Sequence, residues 1–177
     1  MSAATELMVT YATYHRDRRN IATHFVGVPM LVFALGALLS RPVLQIGGWP
    51  LTPAAMAWGL TTLWYLTRGN LALGLAVSFA NLVLVLAALP LGQLETATWL
   101  GWSLGTFVVG WAIQFVGHYY EGTKPAFIDD LRGLLVGPMF VVGEALFRMG
   151  WRKDLLAEID RRAGLPHLRD LHSPAVR

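Results

Sequence analysis

Five histidines occur in this chain of 177 residues, and three of them flank hydrophobic segments. His15 and His24 lie in YHRDRRNIATHFVGVP, and His118 lies in QFVGHYYEGTKPAF with Glu121 three residues on. An imidazole in a membrane-type sequence is costly to desolvate and is a functional candidate for that reason. Imidazole and carboxylate donors without thiolates suit iron, zinc or manganese. Two histidines and one carboxylate with open positions form the ligand set of non-haem Fe(II) oxygenases. Three histidines can instead hold a catalytic zinc with a bound water.

Helical spacing sets limits on that chemistry. Asn20 and His24, like Gln114 and His118, are four apart and share a face, and His118 and Glu121 are three apart. His15 and His24 are nine apart, about half a turn out of phase at 3.6 residues per turn. Both can bind one ion only if the chain bends or breaks between them. Plainer readings stand beside the metal site. His15 is then an interfacial side chain among Arg16, Asp17 and Arg18, and His24 a helix-end imidazole bonded to a backbone carbonyl. His118 and Glu121 become a pH-sensitive pair tying helix ends together.

The elements that must position these groups are membrane helices. The chain is 55% hydrophobic and only 14% charged, against about 25% charged in ordinary soluble domains. Four stretches carry no Asp, Glu, Lys or Arg: Phe25–Ser40, Pro42–Thr67, Gly69–Leu94 and Thr96–Tyr120. A bilayer core needs about 20 mostly apolar residues in a helix. The expected fold is an all-α integral membrane bundle with four transmembrane spans, at about 24–40, 53–67, 71–91 and 97–120. A fifth segment, Leu131–Trp151, contains Gly137–Pro138, Glu144, Arg132 and Arg148; it reads as membrane-embedded or interfacial.

Charge gives the orientation. With the N-terminus cytoplasmic and four crossings, every Lys and Arg of the fourteen except Arg41 lies inside, as the positive-inside preference requires. A fifth crossing would export Arg152, Lys153, Arg161, Arg162 and Arg169. Both termini and the histidine site are therefore expected on the cytoplasmic side, of the inner membrane in a bacterium or of the endoplasmic reticulum in a eukaryote. Residues 1–155 read as one helical membrane domain carrying the metal site, and 156–177 as a polar, basic tail. The tail suits anionic lipid headgroups rather than nucleic acid. No cleavable signal peptide is expected, and the absence of cysteine excludes disulfides and thiolate chemistry. Asp129 and Asp130 are candidate helix caps, Glu144 is expected to pair with Arg148, and His167 and His172 are expected in solvent. Gly69–Gly74 and Gly101–Gly105 permit close helix contacts and leave the oligomeric state open.

Two motifs stand out: His15-x4-Asn20-x3-His24-x3-Val28-Pro29, and Gln114-Phe115-Val116-Gly117-His118-x2-Glu121-x3-Pro125-Ala126. Together they resemble the small multi-span 2-hydroxy fatty acid dioxygenases, whose eukaryotic members reside in the endoplasmic reticulum. The likeness continues through Asp129, Leu131, Pro138 and Glu144–Phe147, and the span layout matches over nearly the whole chain. The resemblance implies Fe(II)-dependent α-oxidation, in which a 2-hydroxy fatty acid and O2 give the fatty acid one carbon shorter without 2-oxoglutarate. It implies that His15, His24 and His118 bind iron or act in catalysis, and it favours a bend between the first two. Asn20, Gln114 and Glu121 carry over as motif residues; Asn20 and Gln114 are expected beside the ligands or the substrate, and Glu121 is by its spacing from His118 a candidate fourth ligand. By position beside the histidines, Arg16, Arg19 or Lys124 could pair with the substrate carboxylate. Two other readings compete: a zinc-dependent lipid hydrolase with Glu121 as base, and a non-enzymatic lipid-binding bundle.

Overall fold

The computed structural model describes residues 2–171; His172 lies outside the described residues. Seven α-helices and one small hairpin follow one another: α1 (Ala3–Ala12), α2 (Arg18–Leu38), β1 (Leu44–Ile46), β2 (Trp49–Leu51), α3 (Pro53–Leu66), α4 (Leu71–Ala88), α5 (Thr96–Glu121), α6 (Gly133–Arg148) and α7 (Lys153–Ala163). Short 3-10 turns extend α4 at Leu89–Gln93 and precede α6 at Ala126–Ile128.

Local chemistry explains most of the boundaries. The side chains of Ser2, Asp17, Thr52 and Asn70 each accept a backbone N–H in the first turn of the helix they precede, the ordinary means of satisfying helix-start donors. Pro53 opens α3, where its missing N–H costs nothing. Gly122 ends α5 in the left-handed conformation at φ 75°. Gly47 and Gly48, at φ 59° and 83°, turn the antiparallel hairpin, as a two-residue turn of this hand requires.

The all-α expectation holds apart from that exposed hairpin, and several elements differ from the expected spans. The first span begins at Arg18 rather than near residue 24, because Asp17 caps it and Arg-Arg-Asn is compatible with a helical first turn. His24 therefore sits inside α2 and not at its end. Helix α1 was not anticipated. At ten residues it is too short to leave a long apolar run, yet Ala4, Met8, Val9, Tyr11 and Ala12 are buried, and it packs on α6 and α7.

Three helical segments are long and apolar enough to cross a membrane: Arg18–Leu38, Leu71–Gln93 and Thr96–Glu121. Helix α3, expected as a span, has fourteen residues, about 21 Å at 1.5 Å per residue. Helices α6 and α7 qualify only as a pair and are bent by 120° to one another. The boundary expected at 155/156 falls inside α7, whose Leu155 and Ile159 are buried.

Helices α2 to α5 run antiparallel, so their connections gather at two ends. The Ala4 amide donates to Arg68 O, which places the α3–α4 turn beside α1. At the other end Arg41 donates to Gly92 O and Leu94 O and lies over the Trp99 ring. Only Arg41 and Glu95 carry charge in the connections at that end.

The contact that matters most for function is between α2 and α5, which is the most extensive helix pair in the fold. A Cβ on Gly117 would lie 2.1 Å from Thr23 Oγ1 and 2.4 Å from Asn20 Oδ1, and one on Gly27 would lie 3.0 Å from Gly110 O. Glycine at these positions lets the two backbones approach and brings His24 and His118 onto facing surfaces. Gly74 is likewise used within the chain, 3.0 Å from Tyr65 O by the same measure, whereas Gly101 and Gly105 have no neighbour within 4 Å.

Candidate metal centre

The loop 13–17 between α1 and α2 supplies the break that helical phase demanded. It swings His15 back so that its Nε2 lies 3.0 Å from His24 Nε2. The His118 ring completes the group, its centroid 4.9 Å from that of His15 and 5.3 Å from that of His24. One nitrogen from each of the three lies within 4.8 Å of the others. All three side chains are buried.

Two backbone carbonyls set the tautomers. His15 Nδ1 is 2.7 Å from Tyr11 O, and His24 Nδ1 is 2.9 Å from Asn20 O. A carbonyl can only accept, so both Nδ1 atoms carry hydrogen and both neutral Nε2 atoms present lone pairs. Two lone pairs facing across 3.0 Å repel unless a cation lies against both. That separation also matches adjacent imidazole nitrogens each about 2.1 Å from one ion. The donor set fits a metal, and the carbonyl-anchored Nδ1–H groups are the usual supports of ligating histidines.

Burial, together with the neighbouring His24 and His118, pushes His15 well below the ordinary histidine range. The unfolded chain then takes up a proton near pH 6.5 that the folded site refuses, so stability rises with pH through that region. The metal-free protein is expected to lose up to ~1.4 kcal/mol per pH unit from this group as pH falls below about 6.5. Thermal melts of apo protein at pH 7.5 and 5.5 check it; equal melting temperatures would contradict it.

Glu121 does not join the converging nitrogens. Its Oε1 accepts from Arg16 N at 2.9 Å, and its Oε2 from Asp17 N at 2.8 Å and Asn20 Nδ2 at 2.9 Å. It clamps the start of α2 to the end of α5 and so fixes the loop that carries His15. Asn20 serves twice, donating to Glu121 through its side chain and accepting from His24 through its backbone.

The cations expected near a substrate carboxylate are engaged elsewhere. Arg19 bonds Asp17 through Nε and Nη2 and lies over the Tyr120 ring. Lys124 pairs with Asp129 at the surface. Arg16 is buried and reaches Asp160 Oδ1, Gly164 O and, at 3.8 Å, Glu144. Glu144 thus has Arg16 across from it, while Arg148 lies over the Phe25 ring. Asp130 accepts from Arg132 N just ahead of α6, and Asp129 accepts from Tyr14 Oη.

Three contributors escaped the sequence reading. Tyr11 stacks on His15 with ring centroids 4.1 Å apart and planes 5° from parallel. Its spacing of four from His15 was an available signal, but only once α1 is known to be helical. Asp17 accepts from Arg19 N and Arg169 N. Burial alone would raise its carboxyl, but the bonds from Arg19 and Arg169 outweigh it and hold it at about 2. The third is the tail: Arg18 N donates to His167 O and His167 N to Arg16 O, tying 167–169 to 16–18. These are backbone bonds, which leave no residue signature.

An apolar cavity of about 260 Å³ opens from the histidines between α2, α5 and α6. Val28, Leu31, Leu35, Phe107, Trp111 and Leu134 form its long apolar walls, and His24, His118, Gln114 and Tyr11 its polar lining.

A family model described as 2-hydroxy-palmitic acid dioxygenase Mpo1-like matches residues 1–149. The chain belongs to the Mpo1-like family. It is 31% identical over 153 residues, covering 85% of this chain and 83% of the relative, to the 2-hydroxy-palmitic acid dioxygenase MPO1 of Saccharomyces cerevisiae. No solved structure matches significantly. The Mpo1-like match takes in all three histidines, the cavity and Glu121, and it stops before α7.

Proposed function

We propose that this Mpo1-like chain is a membrane-embedded, iron-dependent dioxygenase that converts a 2-hydroxy fatty acid and O2 to the fatty acid one carbon shorter, with the carboxyl carbon leaving as CO2 and one water formed. The observation that carries this reading is three buried imidazoles converging beside an apolar cavity that two of them, His24 and His118, line. Family membership supplies the substrate class. His15, His24 and His118 would hold the metal. Bound Fe(II) supplies open coordination positions and the capacity to activate O2.

The chain's own groups do the rest. Tyr11 O and Asn20 O keep the imidazoles of His15 and His24 in the tautomer that offers Nε2. Burial keeps water from competing for the site. Glu121 holds the loop bearing His15, and the walls from Val28 to Leu35 receive the acyl chain.

The antiparallel course of α2 to α5 supports four crossings, with α3 returning the chain to its first end although it is short. The concentration of Lys and Arg at the histidine end supports a cytoplasmic metal centre. A zinc hydrolase is less well supported, because the carboxylate it needs as a base already accepts three N–H donors.

The test is anaerobic purification, reconstitution with Fe(II), then mass analysis after adding a 2-hydroxy fatty acid and O2. Expected is a chain-shortened acid with stoichiometric O2 consumption that requires iron. Ester cleavage supported by zinc without O2 uptake would establish the hydrolase instead. A protein that retains no metal and turns over nothing would be a lipid-binding bundle.

A further inference from the structure

The cavity beside the histidines has no positive side chain. Among its lining residues there is no Lys or Arg, and Arg16, Arg19 and Lys124 are held by Asp160, Asp17 and Asp129. Apart from a bound metal, an anionic 2-hydroxy acid meets only uncharged side chains there.

Beside His24 and His118, two further polar side chains line the cavity. Gln114 on α5 is 4% exposed, and its Oε1 is buried with no hydrogen bond. Tyr11 on α1 lines the same cavity and is 8% exposed. A buried polar group left unpaired is costly, so the unpaired Gln114 Oε1 beside the candidate metal centre points to a ligand that satisfies it, and Tyr11 borders the same space. The phenol is further fixed in place. Its ring is stacked on His15 and lies 5.2 Å from the Phe140 ring. Gly137 leaves room for its oxygen, since a Cβ there would lie 3.2 Å from Tyr11 Oη.

We propose that Tyr11 and Gln114 are the positioning residues for the polar head of the 2-hydroxy acid. Tyr11 donates its phenolic hydrogen to the carboxylate, and Gln114 offers Oε1 to the 2-hydroxyl hydrogen. The proposal rests on the dioxygenase reading above. It makes selection of a 2-hydroxy acid over an unsubstituted chain a matter of hydrogen bonding rather than ion pairing, which is how a polar site rejects analogues lacking one group.

The test measures binding in detergent, without O2, to protein loaded with Fe(II). Tyr11→Phe keeps the ring stack and removes only the hydroxyl, and Gln114→Met keeps the volume. Each is expected to raise the Kd for a 2-hydroxy fatty acid about tenfold or more, with bound metal unchanged. A fatty alcohol of the same length, which shares only the tail, is expected to bind wild type and variants alike. Variants that bind the 2-hydroxy acid within twofold of wild type would overturn the assignment. So would equal losses for acid and alcohol, which would mean a reshaped pocket. Metal loss in Tyr11→Phe would make Tyr11 a support for His15 and not a substrate contact. Wild-type protein that binds no 2-hydroxy acid would bring down the dioxygenase reading itself, an outcome separate from variant behaviour.

Discussion

Replacing His24 by alanine is expected to abolish metal retention and lower kcat/KM by more than about 100-fold, since loss of even an outer support of a metal ligand costs 10–100-fold. His24 is held in place on two sides. It stands inside α2, its Nδ1–H is bound to Asn20 O, and its Nε2 faces that of His15 at 3.0 Å. Nothing else in the neighbourhood can take over, because Glu121 and Asn20 are bonded to one another. His167→Ala is the control. Its side chain is exposed and its contribution runs through the backbone, so iron content and turnover should match wild type. Metal analysis of purified protein decides the matter, and a His24→Ala protein with full iron occupancy would remove the site.

Replacing Glu121 by alanine is expected to cost about 3 kcal/mol or more, because two backbone amides and the Asn20 amide lose a shared buried acceptor, each worth ~1–3 kcal/mol. That corresponds to roughly a 6–12 °C fall in melting temperature for a chain of this size. Iron affinity should fall with it, since the freed loop carries His15. Glu121→Gln keeps one acceptor oxygen and should fall between the two. The signature of a clamp is that stability and metal affinity decline together across the series. A pure ligand would lose iron in Glu121→Ala while the melting temperature of the metal-free protein stayed at the wild-type value.

The contrast between these two residues shows what the amino-acid order could reveal. His24 and His118 were legible from residue type and spacing, and helical phase correctly demanded a break between His15 and His24. The break lies at 13–17 because α1 ends at Ala12 and Asp17 starts α2 afresh. The position of Glu121 was legible and its work was not, because two of its three partners are backbone amides. Arg19 and Lys124 drew attention by proximity in the chain, yet each has an aspartate within reach. Tyr11 was hidden because a ten-residue helix that packs on α6 and α7 lacks the apolar length that marks a span. Helix α3 lies at Pro53–Leu66, where a span at about 53–67 was expected, because Pro42, Gly47, Gly48 and Pro50 mark off the hairpin within the uncharged stretch 42–67.

The bonds from 160–169 to the loop bearing His15 have a consequence for biosynthesis. Arg16, Asp17 and Arg18, the neighbours of His15, are held by Asp160, Gly164, His167 and Arg169, residues translated about 150 positions later. The loop that carries His15 therefore gains its fixed place only once α7 and residues 164–169 have been made.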